Sequence, residues 1–203
     1  MKLILFFNGW GMDEKIHPKI QDASEYELIS LKYPYICPRI DFEKYEDIYV
    51  IGWSFGVYYA NLYLNSLEYL ENITAIAING TPELIGENGI KKNMIQYTYD
   101  NLTLESLDKF YENMELPELL MKREVNFQEI KEELKYFIDN YKISENRFHK
   151  AIIFKNDRII PCKNQRRYFE INNVEIEEIS GGHYPFNELK TFEQILNRCR
   201  YEI

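Results

Sequence analysis

At 203 residues, 45% of them hydrophobic and 15% aromatic, the chain is long enough for one domain with a sizeable core. Its formal net charge of −9 argues against nonspecific nucleic-acid binding and against broad electrostatic attraction to an acidic partner. No stretch is long enough to cross a bilayer. Three widely spaced cysteines, Cys37, Cys162 and Cys199, suit a reducing compartment rather than a disulfide framework.

In chain order, the first apolar run is Lys2–Phe7. It is too short for a signal sequence and leads into Asn8-Gly9-Trp10-Gly11 rather than a small-residue cleavage site. A first strand is the expectation, and with it a cytoplasmic location. Glu27–Leu31 is a candidate second strand, and Ile48–Ile51 and Ile73–Ile78 read as core strands. Between those two, Val57–Leu64 is apolar on nearly every face, as a buried helix is.

From Thr81 to Glu145 no convincing strand appears. Leu104, Leu107, Phe110, Tyr111 and Met114 recur at helical spacing, as do Phe127, Ile130, Leu134, Phe137, Ile138 and Tyr141. Asn126 followed by Glu129 resembles a capping box. Ala151–Phe154 and Val174–Ile179 then resume the strands. The latter alternates apolar and acidic residues, as a sheet edge does. The pattern predicts an α/β protein, a mostly parallel sheet flanked by helices. It predicts one domain over 1–203, with a core of 1–80 and 146–203 and a helical lid over about 81–145.

The chemistry is concentrated in Gly52-Trp53-Ser54-Phe55-Gly56, directly after a strand and before a helix. A Gly-x-Ser-x-Gly in that context is the nucleophile elbow of a serine hydrolase. The turn is so tight that side chains at Gly52 and Gly56 would collide, and the hydroxyl of Ser54 stands at the sheet edge. A serine hydroxyl needs a base within hydrogen-bond reach. Of three histidines, His17 lies in a polar N-terminal stretch and His149 precedes a strand. His183 sits on the glycine-flanked loop Ser180-Gly181-Gly182-His183 after the last strand, where an elbow serine finds its base. Asp157 closes the preceding strand segment. Ser54, Asp157 and His183 follow the Ser…Asp…His chain order of the α/β hydrolases. The backbone N–H of Phe55, with that of Trp10 in the first Gly-rich loop, is expected to form the oxyanion hole. No Cys/His grouping has metal-ligand spacing, so neither a metal nor another cofactor is expected.

Four segments together resemble the BioG family: Phe6-Phe7-Asn8-Gly9-Trp10-Gly11-Met12-Asp13, Gly52-Trp53-Ser54-Phe55-Gly56-Val57, Ile78-Asn79-Gly80-Thr81-Pro82 and Gly181-Gly182-His183-Tyr184-Pro185-Phe186. The resemblance implies a compact α/β-hydrolase fold with a short helical lid. It implies hydrolysis of the methyl ester of pimeloyl-acyl carrier protein in biotin synthesis. The family roles it carries over are Ser54 as nucleophile, His183 as base, Asp157 as acid, and Trp10 with Phe55 as oxyanion donors. Two rival readings stand beside it: a general short-chain carboxylesterase or thioesterase, and a non-catalytic binding module on the same fold.

An extended acyl chain needs an apolar trench, and Met94, Tyr97, Phe110, Met114, Leu119, Leu120 and Met121 are available to roof one. An acidic carrier needs local cations, for which Arg39, Lys122, Arg123, Arg158, Arg166 and Arg167 are the candidates. Residues 81–145 hold 14 acidic against 8 basic residues, which sits awkwardly with carrier docking.

Overall fold

The computed structural model describes residues 1–68 and 71–199. Among these residues six strands form one sheet: β1 (Lys2–Phe7), β2 (Tyr26–Leu31), β3 (Ile48–Trp53), β4 (Ile73–Ile78), β5 (Lys150–Phe154) and β6 (Glu175–Ile179). Their order across the sheet is β2-β1-β3-β4-β5-β6, and every pairing is parallel. β3 is buried along its whole length, as a central parallel strand covered on both faces must be. β6, with Glu175, Glu177 and Glu178 interrupting its apolar residues, lies at one edge, where charge discourages further pairing. β2 forms the other edge.

Among the described residues, seven α-helices accompany the sheet. α1 (Phe55–Ser66) connects β3 to β4, and α6 (Cys162–Ile171) connects β5 to β6. α7 (Phe192–Asn197) follows β6. The alternation is incomplete at the start. The crossovers β1–β2 and β2–β3 contain only short 3-10 turns at Glu14–Ile16 and Phe42–Lys44. Pro18 in the first crossover, and Pro34 with Pro38 in the second, remove the backbone donors and restrict the preceding residues, so no full helix forms there.

Between β4 and β5 the chain inserts α2 (Lys92–Asp100), α3 (Leu104–Asn113), α4 (Glu118–Met121) and α5 (Phe127–Asn140). Ile130, Leu134 and Phe137, spaced four and three apart on α5, form its buried stripe. Phe137 meets Phe55 (ring centroids 4.7 Å apart) and Tyr58 (5.1 Å), so the insertion rests on the first turns of α1. Asn126 caps α5 by accepting from the Glu129 N–H at 3.3 Å. The reciprocal half of a capping box is formed instead at Thr103/Ser106 and Thr191/Gln194, where the third residue's side chain reaches back to the cap N–H. No helix among the described residues is long and apolar enough to cross a membrane.

The parallel register brings the carboxyl ends of β1, β3, β4, β5 and β6 to one edge: Phe7 pairs with Gly52, Trp53 with Ile78, and Phe154 with Ile179. The turns that begin at Asn8, Ser54, Asn79, Lys155 and Ser180 therefore open on the same side, where ligands bind in open α/β sheets.

Candidate active site

The elbow is built by collisions avoided. Ser54 has φ 56° and ψ −122°, a left-handed conformation that a side chain rarely adopts and that costs of order 1–3 kcal/mol. A Cβ at Gly52 would lie 2.6 Å from the Cα of Val57, and one at Gly56 would lie 2.0 Å from the carbonyl oxygen of Phe7. Neither distance is tolerable against backbone. Gly80 is a third glycine of the same kind, since its Cβ would lie 2.5 Å from the Ser54 carbonyl oxygen. The Ser54 N–H donates to Ile78 O at 3.0 Å, which ties the strained residue to β4.

Opposite stands the loop after β6. His183 is fully buried, and its Nε2 lies 2.8 Å from Ser54 Oγ. Its Nδ1 lies 2.8 Å from Asp157 Oδ2. Asp157 is itself fixed by three further donors. Oδ1 accepts from the N–H groups of Ile159 (2.8 Å) and Ile160 (2.9 Å), and Oδ2 accepts from Gln165 Nε2 (3.0 Å). A carboxylate oxygen can only accept, so Nδ1 carries the proton and Nε2 is left free to accept from the serine hydroxyl.

The imidazole is held through its backbone. The His183 carbonyl accepts from Trp53 Nε1 at 3.0 Å and from Asn79 Nδ2 at 2.9 Å, and Asn79 Nδ2 also reaches Gly182 O at 3.1 Å. Asn79 Oδ1 in turn accepts from the Phe154 N–H at 2.8 Å. One buried amide thus joins the ends of β4 and β5 to the histidine loop. Trp53, Asn79, Gly80 and Gln165 have no assignment from sequence reasoning. Asn79 and Gly80 do lie in a quoted segment, Ile78-Asn79-Gly80-Thr81-Pro82, whose Asn-Gly pair is the available signal.

The loop after β1 lies against the serine: a Cβ on Gly9 would be 3.3 Å from the Cβ of Ser54. Trp10 and Phe55 stack with ring centroids 6.1 Å apart. The N–H groups of Asn8, Gly11 and Met12 are engaged by Leu31 O, Glu133 Oε2 and Gly9 O. Those of Trp10 and Phe55 have no acceptor among the described residues, and Phe55 opens α1, where first-turn donors lack intrahelical partners.

The inserted helices grip this loop. Trp10 Nε1 donates to Ile130 O (2.8 Å), and the Gly11 N–H to Glu133 Oε2 (2.9 Å). Arg123 Nη2 donates to Gly11 O (3.0 Å). The Tyr35 hydroxyl lies 2.9 Å from Asn8 O and 3.0 Å from Glu133 Oε1. Glu133 is 3% exposed, and burial pushes its carboxyl up to about 7, against the lowering effect of its two donors.

The other sequence candidates are dispersed. Arg123 is turned inward on Gly11, Met12 and Tyr111, so it is not a surface docking cation. Lys122 pairs with Glu118 and Arg166 with Glu178. Arg39 is exposed, away from these contacts, whereas Arg158 and Arg167 line an open groove between the segment after β4 and α6. Of the proposed apolar roof, Met114 is buried and Phe110 packs edge-on to Trp10, while Met94, Tyr97 and Leu119 are exposed. His17 bonds Ser30 Oγ (2.9 Å), and His149 Nδ1 accepts from the Ala75 N–H (3.0 Å). Both are held in the framework, away from Ser54.

Comparison with known proteins gives a consistent setting. The family model "Pimeloyl-ACP methyl esterase BioG" matches residues 1–195. A malonyl-[acyl-carrier protein] O-methyltransferase of Bacteroides fragilis is 34% identical over 92% of this chain, and the match spans 40% of that protein. The crystal structure of BioG from Haemophilus influenzae superposes with a TM-score of 0.80 at 26% identity, covering 95% of this chain and 93% of that one. An esterase from Exiguobacterium antarcticum shares the fold with a TM-score of 0.69 at 15% identity, over 98% of this chain and 91% of that one.

Proposed function

The chain belongs to the BioG family of α/β hydrolases, and we propose that it is a serine esterase acting on the methyl ester of a pimeloyl group borne by acyl carrier protein. The observation that carries the reading is the unbroken relay Ser54 Oγ–His183 Nε2 and His183 Nδ1–Asp157, each link 2.8 Å. Both ends of the imidazole are engaged in the sense that nucleophilic acyl transfer requires.

In this mechanism Ser54 Oγ attacks the ester carbonyl as its proton passes to His183 Nε2. Asp157 holds the tautomer and stabilises the imidazolium. The tetrahedral oxyanion is received by the N–H groups of Phe55 and Trp10, which have no acceptor among the described residues. Each such donor is worth roughly 3 kcal/mol of transition-state stabilisation. His183 returns its proton to the departing methoxide, releasing methanol and leaving an acyl-serine. Water, deprotonated by the same imidazole, cleaves that intermediate and frees the pimeloyl carboxylate, with the carrier thioester untouched. No metal or other cofactor takes part. The four inserted helices act as a lid that also positions the oxyanion loop. Three free cysteines fit a reducing, cytoplasmic setting.

The name of the Bacteroides fragilis relative describes the opposite chemistry, addition of a methyl group to a carrier-bound acyl chain. Because this chain spans less than half of that protein, the name bears on a longer polypeptide. It supports a carrier-linked methyl ester as the common intermediate. The test is mass spectrometry of pimeloyl-carrier methyl ester after incubation with the protein. Loss of one methylene's mass, absent with Ser54→Ala, is expected. Turnover of simple esters with the carrier species unchanged would replace the carrier-specific reading with a general carboxylesterase.

A further inference from the structure

An open groove of about 1000 Å³ runs between the segment that follows β4 and the start of α6. Five cations line it, Lys91, Lys92, Arg158, Lys163 and Arg167, against one acid, Glu87. In a chain of net charge −9 this is a marked local reversal. Most cations elsewhere on the insertion are engaged: Lys109, Lys122 and Lys135 pair with acids one turn away, and Arg123 faces inward. In the groove, Arg167 is held by Glu87 and Asn88, while Lys91, Lys92, Arg158 and Lys163 have no ion-pair partner among the described residues. Ile90, Ile159, Pro161 and Met94 supply apolar surface between the charges.

The groove walls are fixed before any partner arrives. Asn164 Nδ2 donates to Gly89 O at 2.9 Å and Arg167 Nε to Asn88 Oδ1 at 2.6 Å, which staples one wall to the other. Its position is set by topology, because the walls leave the carboxyl ends of the neighbouring strands β4 and β5, the edge where Ser54 stands. Arg158 and Ile159 directly follow Asp157, and the Ile159 N–H donates to its carboxylate.

We infer that this cationic groove is where the acidic carrier protein docks, so that its acyl chain is delivered to the catalytic edge of the sheet from the α6 side. The inference rests on the carrier-ester reading above. The 14 acidic against 8 basic residues of 81–145 repel an acidic partner over most of the insertion. Lys91 and Lys92 belong to those 8 and stand at its β4 end, where they join the α6 cations. Charges at such a rim act mainly on encounter rate and salt dependence.

The test uses the charge-reversed variant K91E/K92E/K163E, none of whose positions touches the serine, histidine or aspartate. Two substrates are compared, pimeloyl-carrier methyl ester and p-nitrophenyl acetate, at low and high salt. The expected result is a fall of about tenfold or more in kcat/KM on the carrier ester, carried by KM and diminished at high salt. Turnover of p-nitrophenyl acetate should be unchanged, which also reports an intact fold. The neutral variant K91Q/K92Q/K163Q should show a smaller loss of the same kind. A change on the carrier ester of less than about twofold in the charge-reversed variant would overturn the inference. Docking is read separately as the affinity of the fluorescently labelled acyl carrier for Ser54→Ala protein, with and without the three reversals. Binding weakened by the reversals is expected alongside the loss in kcat/KM, and equal binding likewise overturns the inference. Absence of carrier-ester hydrolysis by the native protein counts instead against the function proposed above.

Discussion

Replacing Glu133 by Gln separates the charge of the buried α5 carboxylate from its shape. Glu133 accepts from the Gly11 N–H and lies within hydrogen-bond distance of the Tyr35 hydroxyl, with Glu129 of the same helix as an acidic neighbour. Burial raises its carboxyl from the ordinary 4.5 to about 7. The folded protein therefore binds this proton more tightly than the unfolded chain does. The associated stability is fully present below about pH 4.5, is lost as the pH rises, and is gone above pH 7. At about 1.4 kcal/mol per pH unit, the gap corresponds to roughly 3 kcal/mol, of which about 2.5 kcal/mol falls between pH 5 and pH 8. A glutamine carries no titrating proton and has nearly the same shape. Its Oε1 can keep the Gly11 N–H, and its Nε2 can donate to the Tyr35 oxygen while that hydroxyl donates to Asn8 O. Urea unfolding of both proteins at pH 5 and pH 8 reads the difference, with all shared titrations cancelling. Relative to the native protein, Glu133→Gln should gain about 2.5 kcal/mol on going from pH 5 to pH 8. Identical pH dependence in the two proteins would refute the buried, titrating carboxylate.

Other outcomes follow from the same geometry. Ser54→Gly and Ser54→Ala should both be inactive, yet the glycine variant should be more stable by about 1 kcal/mol in thermal melts, because only glycine is at ease at φ 56°. Asp157→Asn should lower kcat by about 10⁴-fold at pH 7 in ester hydrolysis, since an amide donor facing Nδ1 imposes the wrong tautomer. Asn79→Ala leaves the Phe154 N–H and the Gly182 carbonyl without their partner. It should cost about 2–4 kcal/mol in chemical denaturation and lower kcat more than it raises KM. His17, lowered by burial to about 4, is neutral in the folded protein. Its contribution is present above about pH 6.5 and lost as the pH falls toward 4, so His17→Gln should flatten that limb of a melting-temperature profile.

Much of the fold could be read from local pattern, because parallel strands buried on both faces leave uninterrupted apolar runs. Ile48–Ile51 and Ile73–Ile78 are such runs, and both lie in the centre of the sheet. β6, with its acidic alternation, stands at an edge. The helices missing from the first two crossovers are explained by Pro18, Pro34 and Pro38, which pattern reasoning passed over. Within the site, the elbow announces itself because a sharp turn demands glycine at fixed offsets. The supports of the histidine loop do not. Trp53 and Asn79 act through contacts with residues over a hundred positions away, and nothing in their own neighbourhood signals a bond to His183 O. Arg123 shows the limit of reading charge from sequence: composition gives its sign, but only tertiary structure turns it inward onto Gly11.

The claim on which the account turns is that the Ser54 hydroxyl is a nucleophile activated by His183. A fluorophosphonate probe with peptide mapping reads it directly. One adduct per chain, on Ser54, is expected in the native protein, and almost none in His183→Ala. Correctly folded native protein that takes up no label, or takes it on another residue, would contradict it.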